Sequence, residues 1–114
     1  MFENSKTTLT EDCLLKCCNK ALTLARDTSG IHFTIEASQK SQSKYIYVQI
    51  EDSCFYTLRV SDHYSPYKYW DRQIVIKPGT TKNNLVIKTI KNCIQIVQKK
   101  RLKFLLNSNK AKES

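Results

Sequence analysis

An α+β domain is predicted for this chain: a meander of about four antiparallel strands, with an N-terminal and a C-terminal helix packed on one face. Three observations lead there. Apolar residues recur at three- and four-residue spacing near the start of the chain and again near its end. Between those stretches the period drops to two. At 114 residues, 40% apolar and 25% charged, the chain is long enough for one hydrophobic core and too short for a second, so a single domain over 1–114 is expected.

Thr10 followed by Glu11 and Asp12 is an N-cap signal with acids in the first turn, where the helix dipole favours negative charge. Leu14, Cys17, Cys18, Ala21, Leu22 and Ala25 then share a face and Asp27 to Gly30 supplies the stop, which predicts a first helix over 11–28. Ile31, Phe33 and Ile35 alternate with His32, Thr34 and Glu36, and Ile46, Val48 and Ile50 alternate with Tyr45, Tyr47 and Gln49, as half-buried strands do. Ser38 to Ser43 turns the chain between them, Glu51-Asp52-Ser53 makes the next turn, and Phe55 to Val60 is a third strand. Ser61 to Asp71 holds Pro66, four aromatics and no clean period, so it reads as an ordered loop before a fourth strand at Gln73 to Lys77 and a Pro78-Gly79 turn. Thr80 or Thr81 can cap the next helix. Val86, Ile90, Cys93, Ile94, Val97, Phe104 and Leu105 fall on one helical face, predicting a second helix over 82–106. The β-branched content of residues 85–96 leaves a strand at 84–90 as the alternative.

Residues 1–8 and 107–114 are polar and expected to be flexible. No secretory h-region and no apolar run of the roughly 18 residues needed to span a bilayer occurs, so a cytoplasmic protein without a membrane partner is expected. Five cysteines, three of them at 13, 17 and 18, lack the paired spacing of a secreted disulfide framework and read as reduced thiols.

Charge is distributed unevenly. Residues 1–71 carry eight Lys/Arg against nine Asp/Glu, while residues 72–112 carry eleven Lys/Arg and no acid. Such a field draws in polyanions or acidic surfaces over a Debye length of roughly 8 Å, and contributes nothing to the fold. Within it, Lys99, Lys100, Arg101 and Lys103 form a basic run on the second helix; a merely soluble surface usually mixes both signs, so the run is read as a binding surface. Tyr64, Tyr67, Tyr69 and Trp70 interleave with Lys68 and Arg72, and Tyr45 and Tyr47 stand on one face of the second strand beside Lys44. Aromatics among cations either stack on bases and partner side chains or roof a sheet face that the helices leave open.

Chemistry is harder to find. Cys13 and Cys17, one helical turn apart, have no second ligand pair, and cysteine often packs as a small hydrophobe, so no metal or other cofactor is expected. Asp62 and His63 are adjacent, and neighbours in an extended segment point to opposite faces, so the aspartate is not expected to orient the histidine. No glycine-rich phosphate loop, serine elbow or HExxH helix is present. Arg59, Ser61, Asp62 and His63 read as a polar strand-to-loop corner, with Arg59 pairing with Asp62 or Asp71, or as direct partner contacts.

The strings Phe33-Thr34-Ile35-Glu36, Ser41 to Val48 and Leu58 to His63 resemble small proteins of phages and mobile elements, in which a Ser-x-Ser-x-Tyr strand precedes an Arg-x-Ser-Asp-His corner. The resemblance covers residues 31–77 and neither helix. It implies a host-interaction or nucleic-acid-associated accessory protein, with anti-CRISPR inhibitors as the wider class and Ser43, Tyr45, Arg59, Ser61, Asp62 and His63 as the matching positions. It implies no catalytic residue.

The expected function is accordingly non-enzymatic binding of nucleic acid or of a host ribonucleoprotein, with no small-molecule substrate. Lys44, Tyr45, Tyr47, Arg59, Asp62, His63, Tyr67, Lys68, Tyr69, Trp70, Arg72, Lys99, Lys100, Arg101 and Lys103 are its candidate contacts. Two alternatives stand beside it: a small nuclease using His63, and a homodimer joined through the second helix.

Overall fold

A computed structural model describes residues 2–50, 54–66, 72–77 and 79–113. The predicted turn at 51–53, Pro78 of the following turn, and the aromatic cluster Tyr67 to Trp70 with Asp71 lie outside the described residues. In chain order the elements are a 3-10 turn at Phe2–Asn4, α1 at Glu11–Leu24, β1 at Ile31–Ala37, β2 at Lys44–Ile50, β3 at Cys54–Ser61, β4 at Gln73–Val75 and α2 at Asn83–Glu113. The strands form one sheet in the order β1-β2-β3-β4, with the helices on one face.

The period-two pattern sets which side chains meet the helices. Ile31, Phe33 and Ile35 lie beside Ile50, Val48 and Ile46, and Ile46 lies beside Leu58, so one face of the sheet is continuously apolar. It packs on Leu14, Cys17, Cys18 and Ala21 of α1 and on Val86, Ile87, Ile90, Cys93, Ile94 and Val97 of α2. Burying each of the larger of these side chains contributes about 1.5–3 kcal/mol. It also decides residues 84–90 for helix: Val86, Ile87 and Ile90 reach the core together only at helical spacing, which outweighs the β propensity of their branched side chains. Burial pushes the thiols of Cys17, Cys18 and Cys93 up to about 12, so at neutral pH they stay protonated and pack as small apolar groups.

Several expectations change. β4 runs parallel to β3, so the sheet is mixed rather than wholly antiparallel; Arg72 lies beside Arg59, where Arg59 N donates to Arg72 O (2.9 Å), and Ile76 N donates to Ser61 O (2.7 Å). Helix α1 stops at Leu24, not 28. Thr10 caps it as predicted, accepting from Cys13 N, but Ala25 turns extended and Asp27 enters the left-handed region at φ 54°. A residue distant in sequence holds that exit: Gln98 Nε2 donates to Arg26 O (2.7 Å) and Asp27 O (3.1 Å). Helix α2 continues past 106 to Glu113. Thr80 and Thr81 spend their hydroxyls on Lys77 O and Lys77 N, closing the turn at Gly79 rather than capping α2.

The segment Phe2–Thr7, expected to be flexible, is hydrogen-bonded into the domain. Thr7 N donates to Thr81 O (2.7 Å) and Asn83 N to Ser5 O (2.8 Å), making a short antiparallel bridge between Lys6 and Lys82. Glu3 pairs with Lys20 at 2.8 Å, and that hydrogen bond holds its carboxyl below the usual carboxylate range. Among the described residues no helix is long and apolar enough to cross a membrane.

Candidate binding surface

Arg59 is the centre of the strand-to-loop corner. It stands on the sheet face away from the helices and is only 5% exposed. One guanidinium nitrogen donates to His63 O (3.0 Å) and Gln73 Oε1 (3.1 Å), the other to Ser43 Oγ (3.0 Å) and His63 Nε2 (3.1 Å). Gln73 in turn accepts from Ser65 N and donates to Ser65 O, both at 2.9 Å, which fastens the start of the loop to the edge strand. The planar five-donor fork of arginine makes this lacing possible from a single side chain.

Hydrogen-bond chemistry assigns the protons. Arg59 can only donate, so His63 Nε2 must accept, and the proton of the neutral ring sits on Nδ1. That atom faces Asp62 Oδ1 (2.8 Å) and Ser61 Oγ (3.1 Å). Ser41, Ser43 and Ser61 continue as a hydroxyl chain with 2.9 Å steps. The aspartate does orient its neighbour, contrary to the expectation from an extended chain, because the backbone bends out of the strand at 62–63. Likewise Asp62 takes His63 and not Arg59, and Asp71 lies outside the described residues.

Serine, histidine and aspartate therefore meet here, but in an arrangement unlike a hydrolytic relay. Serine and aspartate share one ring nitrogen, where a relay needs them on opposite nitrogens, and Ser61 is fully buried. What the arrangement does is hold a loop. The His63 hydrogen bond keeps the Asp62 carboxyl below the ordinary aspartate range. A carboxylate depressed in the folded state contributes stability that is present above its unfolded pKa and lost as pH falls through the folded one. In an NMR titration Asp62 should thus protonate below the ordinary value of 3.8, and His63→Ala should move it back up towards that value. An unchanged Asp62 titration in that variant would show that the ring does not act on it.

On the open face Tyr45 lies between Glu36 and Arg59, Tyr47 between Thr34 and Thr57, and Gln49 between His32 and Phe55. Tyr47 donates to Glu36 Oε2 (3.2 Å), and Phe55 is 57% exposed. Lys44 precedes Tyr45, so strand alternation turns it to the helix side and separates it from the two tyrosines. Tyr67, Lys68, Tyr69 and Trp70 lie outside the described residues.

The basic run of α2 is not one surface. Lys100 Nζ reaches Phe55 O (3.3 Å) and sits 5.3 Å from the centre of the Tyr56 ring, with the Arg72 guanidinium 5.5 Å from the same centre. These two cations are thereby tied to the sheet edge. Arg101 is half-buried beside a cleft. Lys99 and Lys103 stay exposed, and at about 100° per residue Lys88 joins them within roughly 60°, opposite the face of Val86, Ile90 and Val97. The outcome is an outward ridge of Lys88, Lys99 and Lys103. Every described residue from Leu102 to Asn107 is exposed, so the helix leaves the core as an arm.

Sequence reasoning missed Gln73, Asn83 and Gln98, polar residues whose partners lie 8 to 81 positions away and leave no local trace. Lys88 falls off the apolar face of α2 with Lys99 and Lys103 by spacing alone, although it is not among the candidate contacts. Cys13 and Cys17 direct their sulfurs at Asn83 Oδ1, both at 3.6 Å. Among the described residues no three His, Cys, Asp or Glu side chains gather as a metal site would require.

Fold and site together define a small α+β protein with a hydrogen-bonded loop corner on its open sheet face and a cationic helical arm. No protein-family model, characterised protein or solved structure matches the chain.

Proposed function

We propose that this protein is a non-enzymatic binding module that engages nucleic acid, alone or within a ribonucleoprotein, through the outward ridge of α2. The observation that carries the reading is the placement of Lys88, Lys99 and Lys103 on one exposed side of a helix, within a stretch, 72–112, that contains no acid. Phosphates are met by such unneutralised cations, and the released counterions supply the free energy. The open sheet face with Tyr45, Tyr47 and Phe55 offers a second contact area for bases or side chains. The setting we propose, inhibition of a host defence such as CRISPR–Cas, rests on the short motifs of residues 31–77 alone.

Replacing Lys88, Lys99 and Lys103 together with glutamine should weaken binding to single-stranded RNA or duplex DNA by roughly 10- to 100-fold near 0.1 M salt. The slope of log affinity against log salt should fall by about 0.7–0.9 for each lysine–phosphate pair removed. Folding should be unaffected, because all three are exposed. Equal affinity and an equal salt slope in the triple variant would rule the ridge out as the contact surface.

A further inference from the structure

A cleft of about 520 Å³ opens between the end of α1, the exit loop behind it and the middle turns of α2, from Lys91 to Leu105. Its apolar walls are Leu24, Leu102 and Leu105, which remain 50%, 60% and 46% exposed. Arg26, Lys91 and Arg101 stand around it, with Asp27 the one acid among its described lining residues. The cleft is held open in advance, because Gln98 bonds both Arg26 O and Asp27 O and so fixes the loop wall to the helix wall.

We propose that this cleft docks an acidic amphipathic helix of a partner protein. Leucines left open to water favour an apolar anchor, and Arg26 and Lys91 beside them favour carboxylates flanking that anchor. Charge argues against the other occupants. A second copy, with the same formal net charge of +9, would bring like-charged rims together. A nucleic acid gains nothing from leucine walls, and a flat bilayer does not fill a concave site. This inference is independent of the lysine ridge, since Lys88, Lys99 and Lys103 do not line the cleft. A ribonucleoprotein would present the ridge and the cleft with one partner each.

The test uses the full-length protein and a fluorescent peptide of about 16 residues, leucine at i, i+3 and i+7 and glutamate at most other positions. Polarisation should show saturable binding. Leu102→Ser with Leu105→Ser should weaken it at least tenfold while RNA binding through the ridge stays unchanged, and Arg26→Glu with Lys91→Glu should weaken it at least tenfold as well. Circular dichroism melting checks that each variant folds; if the serine pair does not, the charge-reversed pair carries the test. A peptide with serine in place of leucine should bind at least tenfold more weakly. Three results would overturn the proposal: equal binding of the serine peptide, unchanged affinity in both variants, or a wild-type dimer in sedimentation that the Leu102→Ser, Leu105→Ser pair dissociates.

Discussion

Asn83→Leu should lower the unfolding free energy by about 2–4 kcal/mol. Asn83 is 1% exposed at the first turn of α2. Its Oδ1 accepts from Thr7 Oγ1 (2.8 Å) and from the thiols of Cys13 and Cys17, and its Nδ2 donates to Phe2 O (2.8 Å). One amide thus joins the N-terminal segment, α1 and α2. Leucine matches its size but leaves the buried Thr7 hydroxyl without a partner, at about 1–3 kcal/mol, removes the acceptor of two thiols, and takes one of two donors from Phe2 O, which keeps Ser5 N (3.0 Å). For a domain whose total stability is on the order of 5–15 kcal/mol, that is a large fraction. Urea denaturation should report the loss as a lower midpoint with an unchanged slope, and Thr7→Val should reproduce only about 1 kcal/mol of it. A loss below 1 kcal/mol for the leucine variant would mean that the N-terminal segment is held by something else.

Arg59→Met comes next, with an expected loss of about 2–3 kcal/mol. Methionine keeps an unbranched apolar stem and removes every guanidinium bond, leaving His63 O and Nε2 short of a donor, while Ser43 and Gln73 retain others. None of the described partners of Arg59 is a carboxylate, so no buried anion is orphaned, and the loss should stay below the 3–5 kcal/mol typical of a broken buried ion pair. The structural consequence should be local. Ile76 N–H, bonded to Ser61 O beside the corner, should exchange faster with solvent than core amides such as those of β2. Arg59→Lys should recover little, since one ammonium cannot span positions that a planar fork reaches together. A methionine variant as stable as wild type would reduce the corner to packing.

Much of the fold is legible in single residues. Thr10 announces the start of α1, because a hydroxyl one position before the first turn is what the unpaired amides there need. The alternation of Ile31, Phe33 and Ile35 with polar neighbours, and of Ile46, Val48 and Ile50 with theirs, specifies both strands and the face each buries. The site was partly legible. Arg59 and His63 stand out as a polar corner, but their bonds to each other, and the one from Asp62 to His63, depend on a bend that no spacing rule encodes. The end of α1 was misplaced by four residues because Gln98, far along the chain, completes that exit.

Element type, the faces those elements bury and the one-sided charge of residues 72–112 are properties of neighbouring positions, and for that reason they can be read from the order of residues alone. Three things emerge only when distant segments meet. The direction of β4 depends on Arg72 and Gln73 meeting Arg59, and the anchoring of Phe2–Thr7 depends on Asn83 lying across from it. The division of the basic run also required the packed molecule: Lys100 and Arg101 adjoin Lys99 in sequence, but the sheet edge takes one, the cleft adjoins the other, and Lys99 and Lys103 face water. Helical phase separates the directions in which these side chains point, and only tertiary packing determines what stands in each direction.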